Sequence, residues 1–187
     1  MGEFRIETER LILRAWRDED VIPLLTLGQD LHVMEFIGPL MDIAEAERIV
    51  TGQILNQRLF GHCFWPIERR LDSAFLGFCG VQLGPVDTPI EGRIEIGWHL
   101  VHDSWGQGYA REAAVASLAW GFANLPIDAI WSMTVPANTR SWGLMERLGM
   151  VRHPDLDFDH PAFPSGHELS THITYSITRE QWTAQAS

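Results

Sequence analysis

The sequence predicts an α/β domain built on a mixed sheet. Three observations lead there. Several short apolar runs alternate with a period of two, most clearly Arg93 to Leu100 (RIEIGWHL). Immediately after Gly108 the pattern changes to a helical period, in YAREAAVASLAWGFAN. Strand-like and helix-like segments also follow one another as strand, two helices, three strands, helix, strand, helix, then one or two strands. With 187 residues, 45% of them hydrophobic and 21% charged, the chain has the size and composition of one domain with its own core. We place that domain at residues 8–182, with terminal tails at 1–7 and 183–187.

Leu11 to Ala15 is a short strand announced by the polar run Glu7 to Arg10. Asp18 stands where a helix N-cap belongs, with Glu19 and Asp20 in the first turn and Val21, Leu24 and Leu25 as the apolar side. Residues 28–41 read as irregular around Gly38-Pro39; their Met34, Phe36 and Ile37 either pack inward or line a binding site. A second helix runs from about Ile43 to Leu59, stopped by Gly61. Strands follow at His62 to Glu68, Phe75 to Leu83 and Arg93 to Leu100, where Ile94, Ile96 and Trp98 face one way and Glu95, Gly97 and His99 the other. The helix after Gly108 carries small residues at helical spacing, which let it lie close to a sheet. Ala129 to Val135 is a strand, Asn138 caps a helix that Gly149 ends, and Leu169 to Ile177 is strand-like.

Composition narrows the function classes. Fourteen basic against 25 acidic residues give a net charge of −11, which repels phosphate backbones, so nucleic acid is not an expected partner and a cationic substrate is tolerated. The start, MGEFRIETER, has no apolar core and is not expected to be a signal peptide; Ile6 argues against myristoylation of Gly2. The longest apolar stretch, Ala113 to Ala123, is too short to span a bilayer. No membrane is therefore expected as a partner, and the expected location is the cytoplasm. The two cysteines, Cys63 and Cys79, read as buried free thiols of a reducing compartment.

The segment that carries chemistry is Glu95 to Ala113, EIGWHLVHDSWGQGYAREA. A strand runs through a turn with Gly106 and Gly108 directly into a helix. Free backbone N–H groups gather at such a helix start and make an anion site, to which Arg111 adds a charged donor. A dinucleotide fingerprint fails because the third position falls on Arg111, and no G-K-[ST] closes a P-loop. From spacing alone, a tight turn without a ligand is the favoured reading.

WGQGYA resembles the pyrophosphate loop of the GNAT superfamily of N-acetyltransferases, Q/R-x-x-G-x-G/A, with Trp105 in the first position, Gly108 in the fourth and Ala110 in the last. "GYA…EA" after a Trp is similar to the branch that acetylates ribosomal-protein N-termini, the Rim type. "TERLILR" resembles that branch's first strand, "EIGWHL" its fourth, Asn138-Thr-Arg-Ser141 with "LMERLGM" its asparagine helix, and Tyr175-Ser-Ile-Thr with Trp182 its closing strand. The likeness spans residues 8–182 in order.

The resemblance implies a mostly antiparallel mixed sheet, splayed between its fourth and fifth strands and flanked by about four helices, with acetyl-CoA as co-substrate. Carried over by position, the backbone around Leu100 would pair with the pantetheine arm, and the N–H groups of Gln107, Gly108, Tyr109, Ala110 and Arg111 would hold the pyrophosphate. Asn138 would reach the amide arm and Ser141 would lie near the sulfur. The implied reaction is acetyl transfer to a primary amine, a protein N-terminus or a small amine, by direct attack in a ternary complex. A homodimer is a common assembly in the family.

Glu95 is the family-matched base, acting through water; the alternatives are a solvent-facing strand residue or a salt-bridge partner. Many family members carry a tyrosine donor where this chain has Met145, which leaves Ser141 or an ordered water as the acid. Tyr109 reads as packing beside the cofactor and Tyr175 as a strand residue. Trp98 and Trp105 flank the cofactor strand. The His- and Asp-rich stretch His153 to His172 has no recognised ligand spacing, so no metal is expected; it reads as a loop shaping the acceptor site or simply solvated. The alternative from another class is a non-catalytic acyl-CoA-binding or sensing module, which the missing tyrosine favours.

Overall fold

The structure is a computed structural model that describes residues 4–185. In chain order the strands are β1 (Arg5–Glu7), β2 (Leu11–Arg14), β3 (Phe64–Arg69), β4 (Phe75–Leu83), β5 (Ile94–Leu100), β6 (Ala129–Thr134), β7 (Val151–Arg152), β8 (Phe158–Asp159) and β9 (Thr171–Thr178). The helices are α1 (Val21–Gly28), α2 (Leu31–Met34), α3 (Ile43–Phe60), α4 (Tyr109–Asn124), α5 (Thr139–Arg147) and α6 (Arg179–Gln185). The chain forms two compact units, Met1–Gln82 with Gly97–Ser117, and Leu83–Ile96 with Leu118–Ser187.

In the first unit the sheet order is β1-β2-β3-β4, followed by residues 97–100 of β5, and the pairings from β1 to β4 are antiparallel. Leu11, Leu13, Trp65, Ile67, Cys79 and Val81 are buried on its strands. Gly77 lets β5 lie close: a Cβ there would stand 2.0 Å from the carbonyl oxygen of His99. The α3 helix starts where Asp42 accepts the N–H of Glu45 at 2.8 Å, as a side-chain N-cap should. Arg14, buried on β2, makes a two-pronged pair with Asp20 (2.8 and 2.7 Å) and also donates to Glu68 (2.8 Å).

In the second unit β6 pairs antiparallel with β9 over six residues, β7 and β8 also pair with β9, and β5 pairs parallel with β6 through Ile94↔Ile130 and Glu95↔Trp131. The Arg179 side chain donates to the carbonyls of Phe122, Leu125 and Ile127, closing the end of α4 with the cation such ends favour. Ile130, Met145, Leu148 and Ile177 are among the buried core of this unit.

The expected α/β class with a mixed, mostly antiparallel sheet is the observed one. Six α-helices are present among the described residues rather than about four. One of the extra ones, α2, forms inside the stretch read as irregular, because Asp30 accepts the N–H of His32 and starts a single turn. The other, α6, carries Trp182 in a helix rather than in the closing strand. Arg5–Glu7, left in the expected tail, pair as β1 with β2. Residues 1–3 and 186–187, the outer parts of both expected tails, and Gly2 with them, lie outside the described residues. No helix among the described residues is long and apolar enough to cross a membrane.

Candidate active site

Leu100, Gln107, Gly108, Tyr109, Ala110 and Arg111 belong to the first unit. β5 ends at Leu100, a single 3-10 turn covers His102–Ser104, and α4 begins at Tyr109. Side chains hold the connection rigid: Trp105 Nε1 donates to the carbonyl of Leu100 (2.8 Å), the Ser104 hydroxyl to that of Val101 (2.7 Å), and Gln107 Nε2 to that of Asp103 (2.9 Å). Gly108 sits at φ +82°, a left-handed conformation that favours glycine. The first helical bond runs from Glu112 N–H to the Gly108 carbonyl at 3.1 Å.

The amides of Gln107, Gly108, Tyr109, Ala110 and Arg111 meet no acceptor among the described residues. A helix start always leaves N–H groups over, and here a turn adds two more on its approach. Such a row carries roughly half a unit of positive charge, in a chain whose net charge is −11. Gly106, Gln107, Gly108 and Arg111 are exposed, so an anion can reach them. The donor set fits a diphosphate. The N–H of Val101 bonds to the carbonyl of Leu76 on β4. By the alternation of a strand, the N–H of Leu100 therefore points away from β4, as pairing with an extended amide arm requires.

The approach to this turn holds residues that reading along the sequence missed. Glu112 accepts from the Thr8 hydroxyl, from Arg10 N–H (2.8 Å) and from Arg10 Nε (2.7 Å). Arg10 Nη1 donates to the Gln107 carbonyl at 2.9 Å, and its guanidinium lies 4.6 Å over the ring of Tyr109. Burial works against the Glu112 charge, but the bonds from Thr8 and Arg10 outweigh it and hold its pKa below the usual carboxylate value. The partners are about a hundred positions apart, so no local pattern announces them.

Glu95, Asn138 and Ser141 belong to the second unit. Glu95 is 8% exposed, and its carboxylate has no hydrogen bond or ion pair among the described residues. Glu95 is thus buried rather than solvent-facing. Burial pushes its pKa up to about 8. It stands in register with Trp131, whose ring is covered by the Arg93 guanidinium at 4.1 Å and flanked by His153 at 5.0 Å.

Asn138 caps α5, its Oδ1 accepting the N–H of Ser141 at 3.2 Å, which leaves its Nδ2 to donate elsewhere. The Ser141 hydroxyl is half-buried and has no partner among the described residues. Met145 is fully buried and presents no donor. Tyr175 lies on β9 and donates to Glu146 at 3.4 Å. Cys63 and Cys79 are free and fully buried; burial pushes both thiols up, Cys79 to about 12.

Among the described residues no three His, Cys, Asp or Glu side chains gather as metal ligands. His160 and Phe163 in the loop before β9 pack ring against ring with His172 on β9, with His160 and His172 4.8 Å apart.

A strand that runs into a row of open amides at a helix start defines an anion site. The chain belongs to the GNAT acetyltransferase family: the acetyltransferase (GNAT) domain matches residues 10–151. It is 34% identical over 179 residues to the uncharacterized N-acetyltransferase YnaD of Bacillus subtilis, covering 95% of this chain and 98% of that one. A GNAT-family acetyltransferase from Bacillus anthracis superposes with a TM-score of 0.77 at 25% identity, covering 95% of this chain and 99% of that one. The fold is also that of RimL, a ribosomal L7/L12 alpha-N-protein acetyltransferase in complex with coenzyme A, with a TM-score of 0.75 at 16% identity and coverage of 94% and 98%. The protein is an acyltransferase, of a family that generally uses acetyl-CoA.

Proposed function

We propose that this acyltransferase moves an acetyl group from acetyl-CoA to a primary amine, a protein N-terminus or a small amine, by direct attack in a ternary complex. The observation that carries the reading is the row of five unpartnered amides from Gln107 to Arg111, which suits the diphosphate of coenzyme A. The N–H of Leu100 and the amide of Asn138 are assigned to the pantetheine arm.

Glu95 takes the proton that the acceptor ammonium must lose, directly or through water. With its pKa at about 8, it matches an α-amine, whose own value is about 7.7–8.0, better than an alkyl amine at about 10.4. That matching favours an α-amino acceptor. The freed amine attacks the thioester carbonyl, and a backbone N–H of β5 near Leu100, other than the one given to the pantetheine arm, is assigned to the charge growing on the carbonyl oxygen. As the C–S bond breaks, the Ser141 hydroxyl, open to a partner, relays to the departing thiolate the proton that the attacking nitrogen sheds. Two fully buried thiols with raised pKa values support attack without an acyl-cysteine, and free thiols support a reducing, cytoplasmic setting.

The buried Met145 favours a second reading, a module that binds an acyl-CoA without turning it over. A panel of peptides with free N-termini, polyamines and amino acids, supplied with acetyl-CoA, separates the two. Release of free thiol with at least one amine, above hydrolysis, is expected. Tight coenzyme A binding with no amine-dependent release establishes the binding module instead.

A further inference from the structure

We propose that Arg10 is the positioning residue of the anion-binding turn: it grips the Gln107 carbonyl and the Glu112 carboxylate from behind, and so fixes the direction of the Gly108 amide without touching the anion. The proposal rests on the reading that this turn holds the diphosphate of coenzyme A.

A trans peptide unit is planar, so the carbonyl of Gln107 and the N–H of Gly108 share one plane and point in opposite directions. Arg10 Nη1 draws the Gln107 oxygen toward itself at 2.9 Å, which turns the Gly108 N–H away from Arg10. The next peptide plane is held as well. Gly108 gives its carbonyl to Glu112 N–H at 3.1 Å, and this directs the N–H of Tyr109 outward from the helix start. The side chain of the same Glu112 then receives Arg10 Nε at 2.7 Å and Arg10 N–H at 2.8 Å. One carboxylate therefore aligns the arginine whose other arm aligns the turn.

Two further contacts agree. The guanidinium stacks on Tyr109, the first residue of α4, at 4.6 Å. A Cβ built on Gly108 would stand 3.4 Å from Arg10 Nη2, which places Arg10 against the turn itself. Glycine's freedom would let an unsupported turn rotate either peptide plane, and each rotation would remove a donor from the row. The Arg10–Glu112 pair is 42% exposed on the arginine side, and such pairs contribute little to global stability. Its consequence lies in geometry rather than in holding the fold.

The test uses the full chain with Arg10→Met and Arg10→Lys, calorimetry with coenzyme A and with pantetheine, which lacks the diphosphate, and a thermal melt. Arg10→Met is expected to weaken coenzyme A about tenfold while pantetheine affinity and melting temperature hold. In turnover the loss should fall on KM for acetyl-CoA, with kcat at saturation unchanged. Arg10→Lys, which reaches one acceptor but not both, should recover part of the loss. Equal coenzyme A affinity in Arg10→Met and wild type overturns the proposal. So does a parallel loss of coenzyme A and pantetheine, which marks a merely structural role. If Arg10→Met does not fold, Arg10→Lys carries the same comparison, with a loss of about threefold confined to coenzyme A. Should wild type itself bind pantetheine as tightly as coenzyme A, the diphosphate reading falls, and the proposal with it; that result is read before any variant is made.

Discussion

Glu95 stands in register with Trp131 across the parallel pairing of β5 and β6, and its carboxylate meets no donor there. Strand alternation placed Glu95 opposite Ile94 and Ile96, on a face that could have been wet. The fold buries both faces at this point, and the lone carboxylate is held protonated up to about pH 8.

That burial sets the pH dependence. Catalysis requires the carboxylate, so kcat/KM should rise tenfold per unit toward pH 8 and level off above it. Glu95→Gln should lower kcat by about 10²–10³ with coenzyme A affinity unchanged. Stability should move the other way. The folded state keeps a proton that the unfolded chain releases near pH 4.5, so wild-type stability falls between about pH 4.5 and 8 and Glu95→Gln does not share the fall. Rate profiles and urea melts of both proteins at pH 6 and 8.5 check the pair of statements.

Gly108→Ala should act on the cofactor and little on the fold. Alanine at φ +82° costs about 1–2 kcal/mol, and its Cβ would stand 3.4 Å from Arg10 Nη2, in contact with it. Coenzyme A should bind about tenfold more weakly, with a small fall in melting temperature. Calorimetry beside a thermal melt reads both.

Restoring the tyrosine that many family members carry should fail here. Met145 is fully buried, and a larger side chain with a hydroxyl must displace its buried surroundings or bury its oxygen unpaired. Met145→Tyr is expected to lose about 1–3 kcal/mol of stability without a gain in kcat. Urea unfolding and a thiol-release rate decide it.

The Arg14–Asp20–Glu68 group supports the first unit. Arg14 and Asp20 side chains are 8% and 3% exposed, so Asp20→Asn strips half the compensation from a buried cation. Because Glu68 stays paired, the expected loss is about 3 kcal/mol, measured by urea unfolding.

Much of this was legible in the sequence where the signals are local. Asp42 and Gly61 bracket α3, Asn138 caps α5, and the glycine turn before α4 is written in consecutive residues. The short elements were not legible. β1, β7 and β8 have two or three residues each and exist because β2 or β9 offers an edge, while α2 is one turn started by Asp30. Among site residues, the turn and its glycines could be read, but the environment of Glu95 could not, since burial depends on what the fold stacks above it. Arg10 was read as part of a polar run before a strand; its bond to Gln107 joins positions 97 apart.

Amide-resolved NMR during a coenzyme A titration decides whether the turn before α4 grips the diphosphate. The backbone resonances of Gln107, Gly108, Tyr109, Ala110 and Arg111 should move together and saturate, with Gly108 shifting downfield as its N–H acquires a phosphate acceptor. If those five stay fixed while coenzyme A perturbs residues elsewhere, or perturbs none, the site assigned here is wrong.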